Sequence, residues 1–419
     1  MKKWTLAVLG ALIVALFIVY VIPTKPKDFF ELYPNKDKAS ESLKEFLARP
    51  TKSVSLNGED WMYYSGGTGN QTILFIHGMG GAYQLWWQQI AALENNYRVI
   101  SFSLPDGVDN LKDAYTGILK ILETEKVKNF NVVGTSMGGY VAQYLVNKIP
   151  ERIDKAVFGN TFPPNTLLAK KNASISKVLP YFPEILISSV GNKQLHAKIV
   201  PAAKNSELLA AFLPSLPFSK KQFINRFSVV IDPFVSHPNE FKIKRIPKLI
   251  IESDNDPLVE LQLREDLKKL YPSAKVKTFH NEGHFPYINA AGEYNQFLIE
   301  FFASTDEFIE AEKTVNAYFE GRRTANVEML KEVFTENAEL FAVLDGELRK
   351  IPVQEYFEKV KADGPSKVST TILYVNRVNN MAFFKTKFQY GDKEYQDYLT
   401  LLKVNNHWKI ASKTFTKLN

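Results

Sequence analysis

Phe130-Asn-Val-Val133-Gly134-Thr-Ser136-Met137-Gly138-Gly139-Tyr140 is the stretch on which the reading of this chain turns. A short apolar run that reads as a buried strand meets Gly134, and a helical pattern takes over from Tyr140 to Lys148. Between them Ser136 occupies the centre of Gly-x-Ser-x-Gly. A serine presented on a strained strand-to-helix turn needs glycines two positions to either side, because neighbouring backbone must approach closely. The same turn sets Ser136 at a helix start, where free N–H groups and the helix dipole favour developing negative charge. The strand before and the helix after separate this motif from an ordinary Gly-rich turn.

Upstream, Ser53–Leu56 and Trp61–Tyr64 flank Asn57-Gly58, a hairpin signal because Asn-Gly readily takes the positive φ angles of a type I′ turn. Thr72-Ile-Leu-Phe-Ile76 reads as a buried strand ending in His77-Gly78-Met79-Gly80-Gly81, with a helix from near Ala82. Tyr97–Phe102 reads as a strand and Leu111–Lys126 as an amphipathic helix. Downstream, Pro247–Ile251 is an apolar strand followed by Glu252-Ser-Asp254-Asn-Asp256-Pro257, and Ala274–Phe279 is a strand followed by His280-Asn-Glu-Gly283-His284-Phe-Pro286. Strands alternating with helices predict a parallel sheet, with ligands at the carboxyl ends of its strands. Serine by itself is a weak nucleophile, so a base and an orienting acid are sought downstream in the order serine, acid, histidine. The chain has six histidines, so the candidates are few.

Together, His77-Gly78, the serine turn, the strand-end aspartates and Gly283-His284-Phe285 resemble the α/β-hydrolase superfamily over about residues 53–303. The resemblance implies an α/β fold, a mostly parallel sheet with a helical lid, and Ser136 as nucleophile. In that family the acid stands three residues after a strand-end glycine. Here Ser253 takes the glycine's place, which puts Asp256 in the acid position with Asp254 as the fallback. The family's histidine follows a glycine, which makes His284 the base and His280 a polar neighbour. Backbone N–H groups of Met79 and Met137 would form the oxyanion hole, and His77 would support its loop. Ser103-Leu-Pro-Asp-Gly107 departs from the family's Asp-x-x-Gly-x-Gly loop, away from the triad. The implied activity is hydrolysis of a small-molecule or lipid carboxylic ester through an acyl-enzyme, without cofactor or metal. Carbon–carbon bond hydrolysis by the same triad and a catalytically idle binding scaffold stand as alternatives. Serine at position 136 argues against the family's dehalogenases and epoxide hydrolases, whose nucleophile is usually aspartate.

Composition agrees with two packed domains: 419 residues, 45% hydrophobic and 23% charged. The absence of cysteine excludes disulfides and thiolate chemistry. Met1-Lys2-Lys3 precedes the uncharged run Trp4–Ile22, nineteen residues that would span about 28 Å as a helix. It reads as an uncleaved single-pass anchor, since Tyr20-Val-Ile-Pro23 offers no small-residue cleavage site. The bulk of the chain is then expected outside the cytoplasm, because long following domains translocate largely regardless of flanking charge. Pro23 to Asn35 reads as a spacer that lifts the globular part off the membrane.

The net charge of +7 is unevenly placed: residues 161–230 hold nine Lys or Arg against Glu184 and Glu207, so the remainder sums to zero. This Pro-punctuated insertion, about residues 160–231, stands where the family inserts its lid. Phe162, Tyr181, Phe182, Phe212, Phe218, Phe223 and Phe227 alternate with the cations. One reading is contact with an anionic membrane or an acidic substrate. The other, the default for amphipathic helices, packs the aromatics on the core and leaves the lysines solvated. No nucleic-acid partner is expected.

After Phe302 helices come first (Asp306–Glu320, Val327–Phe334, Val353–Lys361), then strand-like runs (Ser369–Val375, Met381–Tyr390, Asp397–Val404, Trp408–Thr414), which predicts an α+β domain. Tyr318-Phe-Glu-Gly321, Val333–Ala338, Asp345–Pro352, Asp397–Lys403 and Trp408-Lys-Ile410 resemble the lumazine-binding-like family and its SnoaL-like relatives over about residues 305–419. The resemblance implies a cone that binds a small molecule in its mouth or forms a homodimer through its sheet. It contains no His–Asp pair that would suggest an activity of its own, and His407 reads as an exposed turn residue.

Overall fold

The computed structural model describes residue 20 and residues 23–304, 307–344 and 346–418. The segment 1–22 read as an anchor lies, Tyr20 apart, outside the described residues. Among those described, no helix is long and apolar enough to cross a membrane. The chain divides into two compact units, one up to Ala303 and one from Ser304.

The first unit is built on eight strands: β1 (Lys52–Leu56), β2 (Glu59–Gly66), β3 (Thr72–Ile76), β4 (Arg98–Phe102), β5 (Phe130–Thr135), β6 (Ile153–Gly159), β7 (Lys248–Ser253) and β8 (Lys275–Phe279). They lie in the order β1-β2-β4-β3-β5-β6-β7-β8. The β1–β2 and β2–β4 pairs are antiparallel and all others parallel. Asn57 and Gly58 close the first hairpin with φ of 54° and 79°, as the Asn-Gly signal predicts. Every residue of β3, β5 and β7 is buried, because helices cover both faces of a parallel sheet and such strands must be apolar throughout. One face packs under Leu111–Thr124 and Met137–Lys148, the other under Trp87–Leu93 and Ala291–Ala303.

Three local differences from the sequence reading have physical causes. The helix after the serine begins at Met137, not Tyr140: Gly138 and Gly139 are poor helix formers, but tertiary packing overrides propensity. The central strand β6 escaped notice because Asp154 and Lys155 interrupt its apolar pattern. Residues 23–35, expected to be a spacer, instead pack on the lid. Asp28 caps a short helix, Phe29–Leu32, whose Phe29 is buried beside Phe212 and Tyr33, and the Lys27 N–H donates to Pro214 O at 3.0 Å. Two aromatic side chains outweigh the Pro and Lys content.

The lid rises between β6 and β7 as the helices Leu167–Val178, Glu184–Gln194, Glu207–Ser215 and Lys220–Ile231, joined by shorter turns.

The second unit places helices Glu307–Thr324, Val327–Val333 and Val353–Asp363 with a sheet of β9 (Phe334–Leu344), β10 (Glu347–Pro352), β11 (Ser369–Val378), β12 (Met381–Tyr390), β13 (Lys393–Val404) and β14 (His407–Leu418). Its order is β10-β9-β14-β13-β12-β11, with β9 and β14 the parallel pair. The α+β expectation holds. Strands β9 and β10 are both additional to the four runs read as strands; the residues of β10 are exposed or nearly so, and charges at Glu347, Arg349 and Lys350 hid it from pattern reading. His407 opens β14 and is exposed.

Candidate active site

Ser136 stands between β5 and the helix Met137–Lys148 with φ 55° and ψ −122°. This backbone geometry costs a non-glycine residue about 1–3 kcal/mol, so its surroundings must impose it. They do so through three hydrogen bonds: the Ser136 N–H donates to Gly159 O at 2.9 Å, and Ser136 O accepts from the Tyr140 N–H at 3.1 Å and from Thr161 Oγ1 at 2.6 Å. Glycine is required on both sides of the turn. A Cβ on Gly134 would lie 2.1 Å from Gly138 O, and one on Gly138 would lie 2.2 Å from Ile76 O.

The acid and the base come from the ends of β7 and β8, beyond β6 in the sheet. Asp256 follows β7 and His284 follows β8, and His284 Nδ1 lies 2.8 Å and 3.0 Å from the two carboxylate oxygens of Asp256. Both side chains are almost fully withdrawn from solvent. Burial pushes the Asp256 carboxyl up, but the His284 charge and hydrogen bonds from His284, Asn160 and the Leu258 N–H prevail and hold it below its ordinary value. With Nδ1–H donated to an ionised acceptor, His284 presents Nε2 as its basic nitrogen. Asp254, the fallback acid, does not join them: its carboxylate meets exposed His280 at 2.8 Å and the Asn281 N–H at 3.0 Å.

Asn160 ties the serine turn to this pair. It follows the Gly159 that accepts from Ser136, and its Nδ2 donates to Asp256 Oδ2 at 2.9 Å and to Gly283 O at 3.3 Å. The structure thus sets Ser136, Asp256 and His284 at the carboxyl ends of β5, β7 and β8 in one sheet, with β6 between the serine and the pair and its following Asn160 bridging the gap. The Ser136 hydroxyl makes no hydrogen bond among the described residues, and the side chain is half-buried. Catalytic hydrogen bonds in unliganded sites often form only once substrate is bound.

The loop after β3 supplies the other wall. A Cβ on Gly78 would lie 3.2 Å from Ser136 Cβ, so the Gly78–Met79 backbone runs against the serine. Met137, in the first helical turn, has an N–H without an intrahelical acceptor. These are the two backbone groups named for the oxyanion hole. His77 is fully buried, with Nε2 accepting from the Leu104 N–H at 2.9 Å and Nδ1 lying 2.6 Å from Gly78 O. Burial first, and then the Arg226 charge, lower its pKa to about 3. It is a neutral strut rather than a base.

Two contributors were missed in the sequence. Asn160 is signalled by its place one residue after a strand-end glycine and by its φ of 39°, which Asn tolerates better than most residues. Arg226 was counted with the outward lysines of the lid, yet it is 1% exposed. Its guanidinium donates to Met79 O, Gly81 O and Leu104 O at 2.6–2.8 Å. Burial pushes its pKa down to about 9, which leaves it charged at neutral pH. The lid helix Lys220–Ile231 therefore holds the loop that carries the Met79 N–H. The departure at Ser103–Gly107 is fixed in the same way, through Leu104 and through Asp106 O, which accepts from Asn225 Nδ2 at 2.8 Å.

A family model for the alpha/beta hydrolase fold matches residues 71–291, more than half of the chain. The chain belongs to the α/β-hydrolase fold family. A second model, described as "Putative lumazine-binding", matches residues 306–416, so the hydrolase-fold unit is fused to a domain of that kind. Among curated proteins, the hydrolase unit is similar to maspardin of Danio rerio, 26% identical over 59% of this chain and 81% of maspardin. It is also similar to a 2-hydroxy-6-oxononadienedioate/2-hydroxy-6-oxononatrienedioate hydrolase of Paraburkholderia phymatum, 24% identical over 57% of this chain and 89% of that one. Lipase 1 of Psychrobacter immobilis is 26% identical over 58% of this chain and 80% of its own length. A solved hydrolase from Pseudomonas aeruginosa PA01 aligns over 61% of this chain and 100% of its own, with a TM-score of 0.53 at 18% identity, a likeness of fold alone.

Proposed function

We propose that this α/β hydrolase cleaves carboxylic esters, with lipid esters as the substrate class, and that the run Trp4–Ile22 holds it at a membrane with the bulk of the chain outside the cytoplasm. The observation that carries the chemistry is the buried Asp256–His284 pair beside a serine held at φ 55°. Lipase 1, whose name states its activity, supports the lipid ester.

In this reading the Ser136 hydroxyl gives its proton to His284 Nε2 as Oγ attacks the ester carbonyl carbon. Asp256 keeps the imidazole in the Nδ1–H tautomer and stabilises its charged form. The carbonyl oxygen gains negative charge and receives the N–H groups of Met79 and Met137, for which removal of one donor costs about 10²–10³ in kcat. Collapse expels the alcohol with the proton from His284 and leaves Ser136 acylated. Water then gives a proton to His284, attacks the acyl carbon and releases the carboxylic acid, restoring the serine.

The test is intact mass after exposure of the full chain to a fluorophosphonate. A single adduct on wild type and none on Ser136→Ala is expected. A folded wild type that takes no adduct sinks the reading and turns the search toward partners of an idle scaffold.

A further inference from the structure

We propose that the outer face of the lid, residues 167–194, docks on an anionic phospholipid bilayer; this rests on the membrane anchorage proposed for Trp4–Ile22. The helix Leu167–Val178 buries none of its residues and Glu184–Gln194 buries Ile187. Ile175, Val178, Tyr181, Ile185, Leu186 and Val190 are 45–79% exposed. A single exposed leucine or valine is ordinary. Six large apolar side chains within sixteen residues form a patch, and soluble surfaces keep such patches small unless they meet a partner.

Charge identifies the partner. Lys170, Lys177, Lys193 and Lys198 are exposed among the apolar residues. Glu184, the acid of these two helices, has its carboxylate occupied by the Thr24 and Lys220 N–H groups at 2.7 and 2.8 Å. One exposed acid reaches the face, Glu260, and it is taken up by Lys171; Lys170, Lys177 and Lys193 keep the face apolar and net cationic. Cations for lipid phosphates beside apolar side chains for the acyl boundary is the composition of surface-lying membrane helices.

Position agrees with composition. Tyr20, near the end of the uncharged run, donates its hydroxyl to Pro180 O at 3.3 Å, and Lys220 Nζ sits 4.4 Å from its ring centroid. Thr24 Oγ1 also donates to Glu184 at 2.9 Å. The chain leaving the run is therefore fastened to the same lid segment that exposes the patch, so insertion of the run brings this face to the bilayer. The adjoining lid helix carries Arg226 onto the Met79 loop, which connects the bilayer-facing lid with the oxyanion wall.

The chain has no cysteine, so single labels can be placed on the full-length protein. Tyr181→Cys, Ile185→Cys and Val190→Cys, each carrying an environment-sensitive nitrobenzoxadiazole, are compared with Val235→Cys and Leu348→Cys at residues 74% and 73% exposed. The proteins are reconstituted into phosphatidylcholine vesicles with or without phosphatidylglycerol, and with spin-labelled lipid. The expected result is a blue shift and at least twofold quenching by spin-labelled lipid at 181, 185 and 190, stronger with phosphatidylglycerol, and neither at 235 or 348. Labels at 181 and 190 that stay in water while the protein floats with vesicles overturn docking and leave the anchor standing. A blue shift without lipid quenching overturns it in favour of cover by protein, a second copy if the shift rises with protein-to-lipid ratio and the chain's own residues 4–19 if it does not. A protein that does not float overturns both readings, whereas the fluorophosphonate reaction reports separately on the chemistry.

Discussion

Two buried acid–base pairs, one in each unit, look alike on paper and differ in what they leave open. In the hydrolase unit Asp256 engages His284 through Nδ1 alone, which leaves Nε2 uncommitted at the end of the sheet that also carries the strained Ser136. In the second unit Asp397 Oδ2 accepts from Lys413 Nζ at 2.7 Å and from the Tyr318 hydroxyl at 3.1 Å, while Lys413 donates to that hydroxyl at 2.7 Å. The rings of Tyr318, Tyr356, Phe388 and Phe415 surround the ammonium at 4.9–5.5 Å. Burial pushes the Lys413 pKa down, but Asp397 outweighs it and raises the net value. One pair keeps an uncommitted nitrogen in the candidate site; the other is closed on itself. A buried acid–base pair is a candidate for chemistry when one of its groups keeps an uncommitted valence, and otherwise serves to order a core.

The sharpest way to break the comparison is to remove charge from each pair. Asp256→Asn is expected to lower kcat for an ester substrate about 10³–10⁴-fold, because the tautomer of His284 is lost while the fold is kept. Circular dichroism should show the fold, and stopped assays the loss. Lys413→Met is expected to leave kcat/KM unchanged and to lower stability by about 3–5 kcal/mol, the cost of stranding Asp397. Calorimetry reads this effect, and adding Asp397→Leu to Lys413→Met should recover most of it. A fall in ester turnover with Lys413→Met would end this division of labour between the two pairs.

pH sharpens the same contrast with opposite signs. His77 is held at about 3 when folded against 6.5 ordinarily, so its contribution is present above about pH 6.5 and is lost as pH falls toward 3. In that window stability should change by up to about 1.4 kcal/mol per pH unit from this group, and His77→Gln should flatten the slope. Lys413, whose pKa is raised, contributes stability that is present below its ordinary 10.5 and lost as pH rises through its folded value. Acid should therefore weaken the hydrolase unit, and strong alkali the second unit. Denaturant titrations at stepped pH test both.

Much of this was legible in the sequence, for reasons that also explain the gaps. Glycines at 134 and 138 and the strand ends at Ser253 and Phe279 are local signals: they singled out Ser136 and narrowed the acid and base to a few residues, among which the family resemblance pointed to Asp256 and His284. Arg226 illustrates the limit. A lid arginine and a lid lysine look the same in a charge count, and what separates them is whether three carbonyls wait underneath. Residues 23–35 fail in the same direction, since proline and lysine suggest a spacer until Phe29 finds Phe212. Strand β6 was hidden because two charges near its start broke a pattern whose four later residues are all buried. Long-range partners are the missing term each time.

The smallest expected effect tests the finest distinction, between two aspartates two residues apart. Asp254 pairs with His280, and the two side chains are 42% and 78% exposed. An exposed pair of this kind contributes about 0.2–1 kcal/mol, reduced further by salt. Asp254→Ala should therefore shift stability by no more than that and change ester turnover less than twofold. The Asn281 N–H that Asp254 accepts lies three residues before His284, so a slight rise in KM with kcat unchanged would report a looser loop. A loss of kcat comparable to that of Asp256→Asn would move the orienting role to Asp254 and require the β8 loop to rearrange on substrate binding, because in the present arrangement His284 Nδ1 is already committed to Asp256.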